Sequence, residues 1–261
     1  MFTPVSSSKV IAVCGKGGVG KTMFTTLMAR AVLEKSESGK LLLIDADPAM
    51  GLLNALGATG RRTMGQIREE IISAAKKGNQ QEQRQLANMI DYMVLEALSE
   101  GDKFSLLPMG RTETLGCFCP VNDLLRDAIA KLSDSFDMII IDGEAGLEQI
   151  NRQVMRSVDT LVIISDATFR GMQTAAMIKE MVKPGRVMQC KRICIVFNRV
   201  QGNEDLLKKY AQEMGMEDLS FIPQDENIAH YDLIGKSLMD LPANSPSLEA
   251  IRHVVKNCIF N

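Results

Sequence analysis

Five apolar residues, Val10-Ile11-Ala12-Val13-Cys14, run directly into Gly15-Lys16-Gly17-Gly18-Val19-Gly20-Lys21-Thr22. A run of that length suits a buried strand, and the pattern from Lys21 to about residue 36 suits a helix. The turn between them fits G-x-x-x-x-G-K-[ST] from Gly15 to Thr22. Glycines let the backbone curl so that successive N–H groups face inward at phosphate oxygens, and the following helix adds its positive end. Gly15, Lys16, Gly17, Gly18, Val19 and Gly20 then form a phosphate cradle, with Met23 beside it. Lys21 is placed to neutralise the β- and γ-phosphates, and the Thr22 hydroxyl to ligate Mg²⁺.

Gly15, Gly17 and Gly20 also satisfy G-x-G-x-x-G, the dinucleotide fingerprint, and acidic residues follow at about the right distance. Two features favour the phosphate loop. Lys21-Thr22 has a role in nucleotide–Mg²⁺ binding and none in dinucleotide binding. A second apolar run, Met138-Ile139-Ile140-Ile141, ends on Asp142, as a Mg²⁺ site requires of a carboxylate acting through water.

Apolar blocks recur along the 261 residues. Strands are expected at Lys9–Cys14, Lys40–Asp45, Phe104–Pro108, Phe136–Asp142, Thr160–Ser165, Arg192–Asn198 and Leu219–Ile222. Continuous blocks such as Leu41-Leu42-Leu43-Ile44 suit strands covered on both faces of a parallel sheet. Helical patterns lie near 21–36, 63–77, 80–99, 121–133, 149–156, 171–182, 203–214 and 246–258. The alternation implies an α/β fold, a doubly wound, mostly parallel sheet flanked by helices, with ligands at the strands' C-terminal ends. The expectation is a single P-loop domain over 1–261 with a helical insertion near 57–100. That insertion reads equally as a partner surface and as plain amphipathic cover.

A formal net charge of −2 gives no reason to expect nucleic acid or an acidic membrane as a partner. No apolar run approaches the roughly 20 residues that span a bilayer. The polar stretch Met1–Lys9 lacks an apolar leader core, so a cytoplasmic location is expected. In that setting the six cysteines read as thiols or metal ligands, not a disulfide framework. With only His230 and His253 present, any metal site beyond the nucleotide's Mg²⁺ should be built on thiolates.

Gly116-Cys117-Phe118-Cys119-Pro120 leads into a helical pattern carrying Val121, Leu124, Leu125 and Ala128. Cys119 falls at or near the helix start, where the helix's positive end lowers a thiol pKa. One Cys-x-Cys offers two ligands. A symmetric dimer with this loop on its axis offers four, matching tetrahedral Zn²⁺ or a square-planar Ni²⁺ site. On spacing alone, two small apolar residues in a reduced compartment fit as well. Cys14, Cys190, Cys194 and Cys258 lie in apolar strands or a terminal helix and read as packing; a strand holds positions four apart about 13 Å apart.

The loop Gly-Lys-Gly-Gly-Val-Gly-Lys-Thr resembles the deviant Walker A loop of the family that includes nitrogenase iron protein, septum-site and plasmid-partition ATPases and the arsenical-pump ATPase. The resemblance implies an ATP-dependent homodimer in which Lys16 crosses to the partner's nucleotide. It implies that Asp47, in Asp45-Ala46-Asp47-Pro48, orients or deprotonates the attacking water, and that Asp45 joins Asp142 around the Mg²⁺ shell. Asp142-Gly143-Glu144-Ala145-Gly146 matches the family's second switch, and Asn198, Arg199 and Pro223 fall where the family surrounds adenine. Asn198-Arg199-Val200-Gln201 lacks the aspartate of the guanine-selective N-K-x-D pattern, so ATP is expected.

Taken with Cys117-Phe118-Cys119-Pro120, the Asp142–Glu148 stretch is similar to that of the CooC-type carbon monoxide dehydrogenase maturation ATPases. That similarity implies Ni²⁺ or Zn²⁺ shared across the dimer by Cys117 and Cys119. It also implies a client such as carbon monoxide dehydrogenase or acetyl-CoA synthase. Gly143 and Gln149 stand where the usual subgroup has methionine and histidine, which leaves the client open among anaerobic metalloenzymes. Two other readings remain at this level: a positioning ATPase, for which the C-terminal Arg252, His253 and Lys256 are thin support, and an iron–sulphur reductase, whose cysteines lie far apart in sequence.

Overall fold

The computed structural model describes residues 8–35, 39–58, 62–77, 80–101, 103–111, 119–144, 147, 150, 154–155, 157–182 and 189–260. Its strands are β1 (Lys9–Gly15), β2 (Leu41–Asp45), β3 (Ser99–Glu100), β4 (Phe104–Pro108), β5 (Met138–Asp142), β6 (Ser157–Asp166), β7 (Gln189–Val200) and β8 (Leu219–Pro223). They form one sheet in the order β3-β4-β2-β5-β1-β6-β7-β8. Two-residue β3 runs antiparallel to β4, and every other neighbouring pair is parallel.

The described helices are α1 (Lys21–Lys35), α2 (Gly51–Leu56), α3 (Met64–Lys77), α4 (Gln80–Ala97), α5 (Cys119–Ser133), α6 (Phe169–Met181), α7 (Glu204–Glu213), α8 (Glu226–Leu233) and α9 (Pro246–Val254). They cover the sheet on both faces, and the strand alternation explains why its strands read as unbroken apolar runs. Val10, Ala12, Leu42, Ile44, Ile139 and Ile141 pack toward α3 to α7. Ile11, Val13, Leu41, Leu43 and Ile140 pack toward α1, α2 and α9. The doubly wound, mostly parallel sheet expected from the sequence is therefore the fold.

Several boundaries move, each for a local reason. β6 begins at Ser157, three residues before the expected start at Thr160, because Asp159 fastens that end of the strand to its neighbours. The Asp159 carboxylate accepts from the Val10 amide at 2.8 Å and from Lys191 at 2.6 Å. α2 is too short for a helical period to register. Its start is held by the Asp45 carboxylate, which accepts from Leu52 N at 3.1 Å. α8 buries none of its residues and so carries no apolar stripe to read. Asp225 starts it by accepting from Asn227 N at 3.0 Å. The helix expected near 149–156 falls largely outside the described residues. Among the described residues no helix is long and apolar enough to cross a membrane.

Candidate functional site

β1 lies between β5 and β6, so the loop leaving it opens at the crevice where the chain's winding reverses. Gly15 has φ +147°, and a Cβ there would lie 2.1 Å from the Ile164 carbonyl oxygen of β6. Gly20 has φ +92°, with a Cβ position 2.5 Å from the Asn198 amide nitrogen. Both positions require glycine, for backbone conformation and for space. Gly18 also has positive φ, and nothing approaches within 4 Å of a Cβ there or at Gly17, so this rim of the loop faces open space.

The parallel register of β2 and β5 sets Asp45 directly beside Asp142. Asp142 is 1 % exposed and accepts from Thr22 Oγ1 at 2.8 Å and Thr25 Oγ1 at 2.9 Å. Thr25 was not singled out from sequence, although its position three residues after Thr22 puts it on the same helix face. Asp45 is fully buried and accepts from Asp47 N at 3.3 Å as well as from Leu52 N. Burial pushes the Asp45 carboxyl up to about 7, and Asp142 beside it adds to the push. Burial likewise raises Asp142 to about 6, against the pull of the two threonine hydroxyls and the Lys21 charge. Two buried carboxylates side by side, a hydroxyl touching one of them and a lysine nearby make a seat that a divalent cation relieves electrostatically.

Among the described residues no group of three or more His, Cys, Asp or Glu side chains is arranged to hold a metal ion alone. That donor set still fits Mg²⁺, which keeps several waters and takes few protein ligands when it travels with phosphates. Asp47 lies just past the end of β2 and accepts from Ala49 N at 2.9 Å. Lys21 is buried, its ammonium 3.4 Å from the Lys16 carbonyl oxygen.

Lys16 extends from the loop rim and pairs with Asp166 at 3.6 Å within its own chain. Asp166 ends β6 and also accepts from Thr168 Oγ1 at 2.6 Å. Sequence reasoning did not find it, because nothing local in residues 157–166 signals a partner so far back in the chain.

A cleft of about 1100 Å³ opens beside the loop, lined among others by Thr22, Met23, Asn54, Asn198, Arg199 and Pro223. Asn198 donates to the Val19 carbonyl at 2.7 Å and accepts from Arg199 N at 2.9 Å. This ties the strand end to the glycine loop and leaves the amide one N–H and one lone pair for another partner. Arg199 has φ +58°, and its guanidinium lies 3.4 Å from the Gly18 carbonyl oxygen. The Pro223 carbonyl accepts from Ser247 Oγ at 3.1 Å.

The cysteine motif is only partly in view. α5 begins at Cys119, with Pro120 as its second residue. Cys117 lies outside the described residues, as do Ala145 and Gly146 of the second switch. Cys14, Cys194 and Cys258 are buried. Burial pushes the Cys14 thiol up to about 12, as expected of a packing residue.

Residues 8–192 match the family model described as an AAA domain. An uncharacterized ATP-binding protein of Methanocaldococcus jannaschii is 37 % identical over 96 % of this chain and 98 % of its own length. The carbon monoxide dehydrogenase accessory protein CooC of Rhodospirillum rubrum is 30 % identical over 88 % of this chain and 89 % of its own. In fold the chain is similar to a ParA family ATPase from Chlorobium tepidum, at TM-score 0.69 and 20 % identity, covering 97 % of this chain and 99 % of that one. It is also similar to the septum site-determining protein MinD of Pyrococcus horikoshii complexed with Mg-ADP, at TM-score 0.66 and 19 % identity over 95 % of each chain.

Proposed function

Since this chain belongs to the AAA-domain family, we propose that it is an ATP-hydrolysing, dimerising metallochaperone. In this reading it is one cytoplasmic P-loop domain that binds Ni²⁺ or Zn²⁺ through Cys117 and Cys119. It delivers the ion to a client such as carbon monoxide dehydrogenase or acetyl-CoA synthase. The observation that carries the ATPase part is the Thr22–Asp142 contact at 2.8 Å, set beside Asp45 and behind a loop in which Gly15 and Gly20 cannot be replaced without strain. The cargo part is supported by the Cys-x-Cys at the start of α5 and by similarity to the accessory protein CooC over most of the chain.

The residues divide the work as follows. Loop amides from Gly15 to Thr22 and the Lys21 ammonium take the phosphates. Thr22 would hold Mg²⁺ directly, with Asp142 and Asp45 in its outer shell; the ion would supply positive charge to offset that of the phosphates. The free N–H and lone pair of Asn198 match the N7 and N6–H₂ edge of adenine, with Arg199 and Pro223 flanking the base. Asp47 aligns the attacking water. Lys16 leaves Asp166 and reaches the partner's phosphates, bringing two Cys-x-Cys motifs together on the dimer axis. The ion is cargo, and thiolates are the ligands that take Zn²⁺ or Ni²⁺ without histidine.

Equilibrium dialysis of Zn²⁺ and Ni²⁺ with ATP present tests the reading. One ion should bind per two chains, and affinity should fall by about 100-fold or more in Cys117→Ser/Cys119→Ser, as the loss of thiolate ligands demands. Unchanged affinity in that variant leaves an ATPase without a cargo site.

A further inference from the structure

Between the phosphate end of the cleft and the helix that begins at Cys119, the chain is tied together by a short series of close contacts. β4 ends at Pro108, opposite Asp45. The next residue, Met109, donates its amide to the Asp45 carbonyl at 2.8 Å and accepts from Gly65 N, in the first turn of α3, at 2.7 Å. One residue thus joins the strand that carries Asp45 to α3.

The packing around it leaves no slack. A Cβ on Gly65 would lie 2.1 Å from the Arg111 carbonyl oxygen. Gly110 has φ +68° and is pressed against Thr63, with a Cβ position 2.6 Å from that side chain. From the same segment Arg111 reaches back, its Nε donating to the Pro48 carbonyl at 3.2 Å, one residue from Asp47. One turn along α3 from Gly65, the buried Arg68 donates its Nε to Asn122 Oδ1 at 2.9 Å. Asn122 is in the first turn of α5.

We infer that residues 109–111, with the Arg68–Asn122 bond, form a relay that transmits the position of Asp47-Pro48 to the first turn of α5. Arg111 and Arg68 are its positioning residues. The inference rests on the proposed function, in which Asp47 aligns water at the occupied nucleotide site; it assigns how a shift of the Asp47 loop on nucleotide binding is felt at the cysteine-bearing helix. The physical reason is stiffness. Segments joined by backbone hydrogen bonds and packed where no methyl group fits shift as a unit, since deforming any one of them breaks a bond or creates a clash. Arg68 adds a charge-assisted anchor in a buried setting: its Nε reaches Asn122 of α5 while its Nη1 donates to Glu69 on its own helix at 2.9 Å, which fixes the plane of the guanidinium.

Hydrogen exchange measured by mass spectrometry on the full chain tests the relay without reference to metal. A non-hydrolysable ATP analogue with Mg²⁺ should change exchange in the first two turns of α5, residues 121–127, by about fivefold or more, the low end of ordinary site-to-site coupling. Arg111→Ala and Asn122→Ala should each abolish that change while the glycine loop is still protected as in the parent. Arg111→Lys, which keeps a donor for the Pro48 carbonyl, should restore most of it.

The relay is overturned if α5 does not respond in the parent. It is equally overturned if the response survives both alanine variants, or if those variants lose loop protection as well. A chain whose α5 responds to nucleotide but which binds neither Zn²⁺ nor Ni²⁺ would keep the relay and lose the cargo reading. Metal binding that is indifferent to Arg111→Ala and Asn122→Ala, with α5 unresponsive, would do the reverse.

Discussion

The nucleotide cleft has carboxylates at both ends, and the fold treats them oppositely. At the phosphate end, burial dominates Asp45 and Asp142 and raises both, and the few donors they receive do not compensate. At the base end, burial also pushes Asp225 up, yet its hydrogen bonds outweigh that push and hold it below the usual carboxylate range. Asp225 accepts from Asn227 N, Asn227 Nδ2, Ser245 Oγ and Ser247 N. In doing so it starts α8 and fastens Ser245, the residue that caps α9. A buried carboxylate whose donors come from its own chain is a fastening. One left short of donors and facing a lysine is waiting for a charge from outside.

If that contrast is right, the two ends respond oppositely to substitution. Asp142→Asn should lower the proposed ATP hydrolysis by about 100-fold, the scale of losing a metal's outer-shell partner. Its urea midpoint should hold or rise, because an isosteric neutral group replaces a buried charge held near Asp45. Asp225→Ala should do the reverse. It orphans Ser245 Oγ, Ser247 N and Asn227 N and should cost about 2–3 kcal/mol in urea unfolding. Hydrolysis by the folded fraction should stay at the parental rate. Loss of stability in Asp142→Asn without loss of activity would erase the distinction.

A smaller effect sharpens it at the surface. Arg252, with Arg30 alongside, holds the Glu34 carboxyl below its usual value. The folded pKa is depressed, so the stability it contributes is complete above the ordinary value of 4.5 and is lost as pH falls through the folded one. Because Glu34 is partly solvated, Glu34→Gln should remove only about 0.5 kcal/mol near neutral pH. It should flatten the acid limb of thermal stability below the same pH. Asp225 titrates in the same direction from an ordinary value of 3.8, so Asp225→Ala should flatten that limb as well.

The phosphate end was legible because its chemistry is local. Gly15 to Thr22 is one contiguous motif, and Asp45 and Asp142 each terminate an apolar block whose length identifies a strand. Their adjacency follows from the parallel register of β2 and β5; the alternation of strands and helices implied a parallel sheet but not that these two strands are neighbours. The fastenings at the base end and the loop rim were not legible, because their partners meet only through tertiary packing. Asp166 reaches Lys16 from the far end of β6, and Asp225 reaches Ser245 across α8. α8 itself presents no buried stripe, and α2 is too short to show one. The relay through Met109 was equally invisible, since two of its bonds are backbone to backbone and carry no side-chain signature.

Calorimetric titration of ATP with and without Mg²⁺, on the parent and on Asp142→Asn, tests most directly whether the phosphate end is built for a cation carried by its nucleotide. Mg²⁺ should tighten ATP binding by about tenfold or more in the parent and by less than about twofold in the variant. Equal Mg²⁺ dependence in the two proteins would contradict it, and would make Asp142 one more fastening of the kind seen at Asp225.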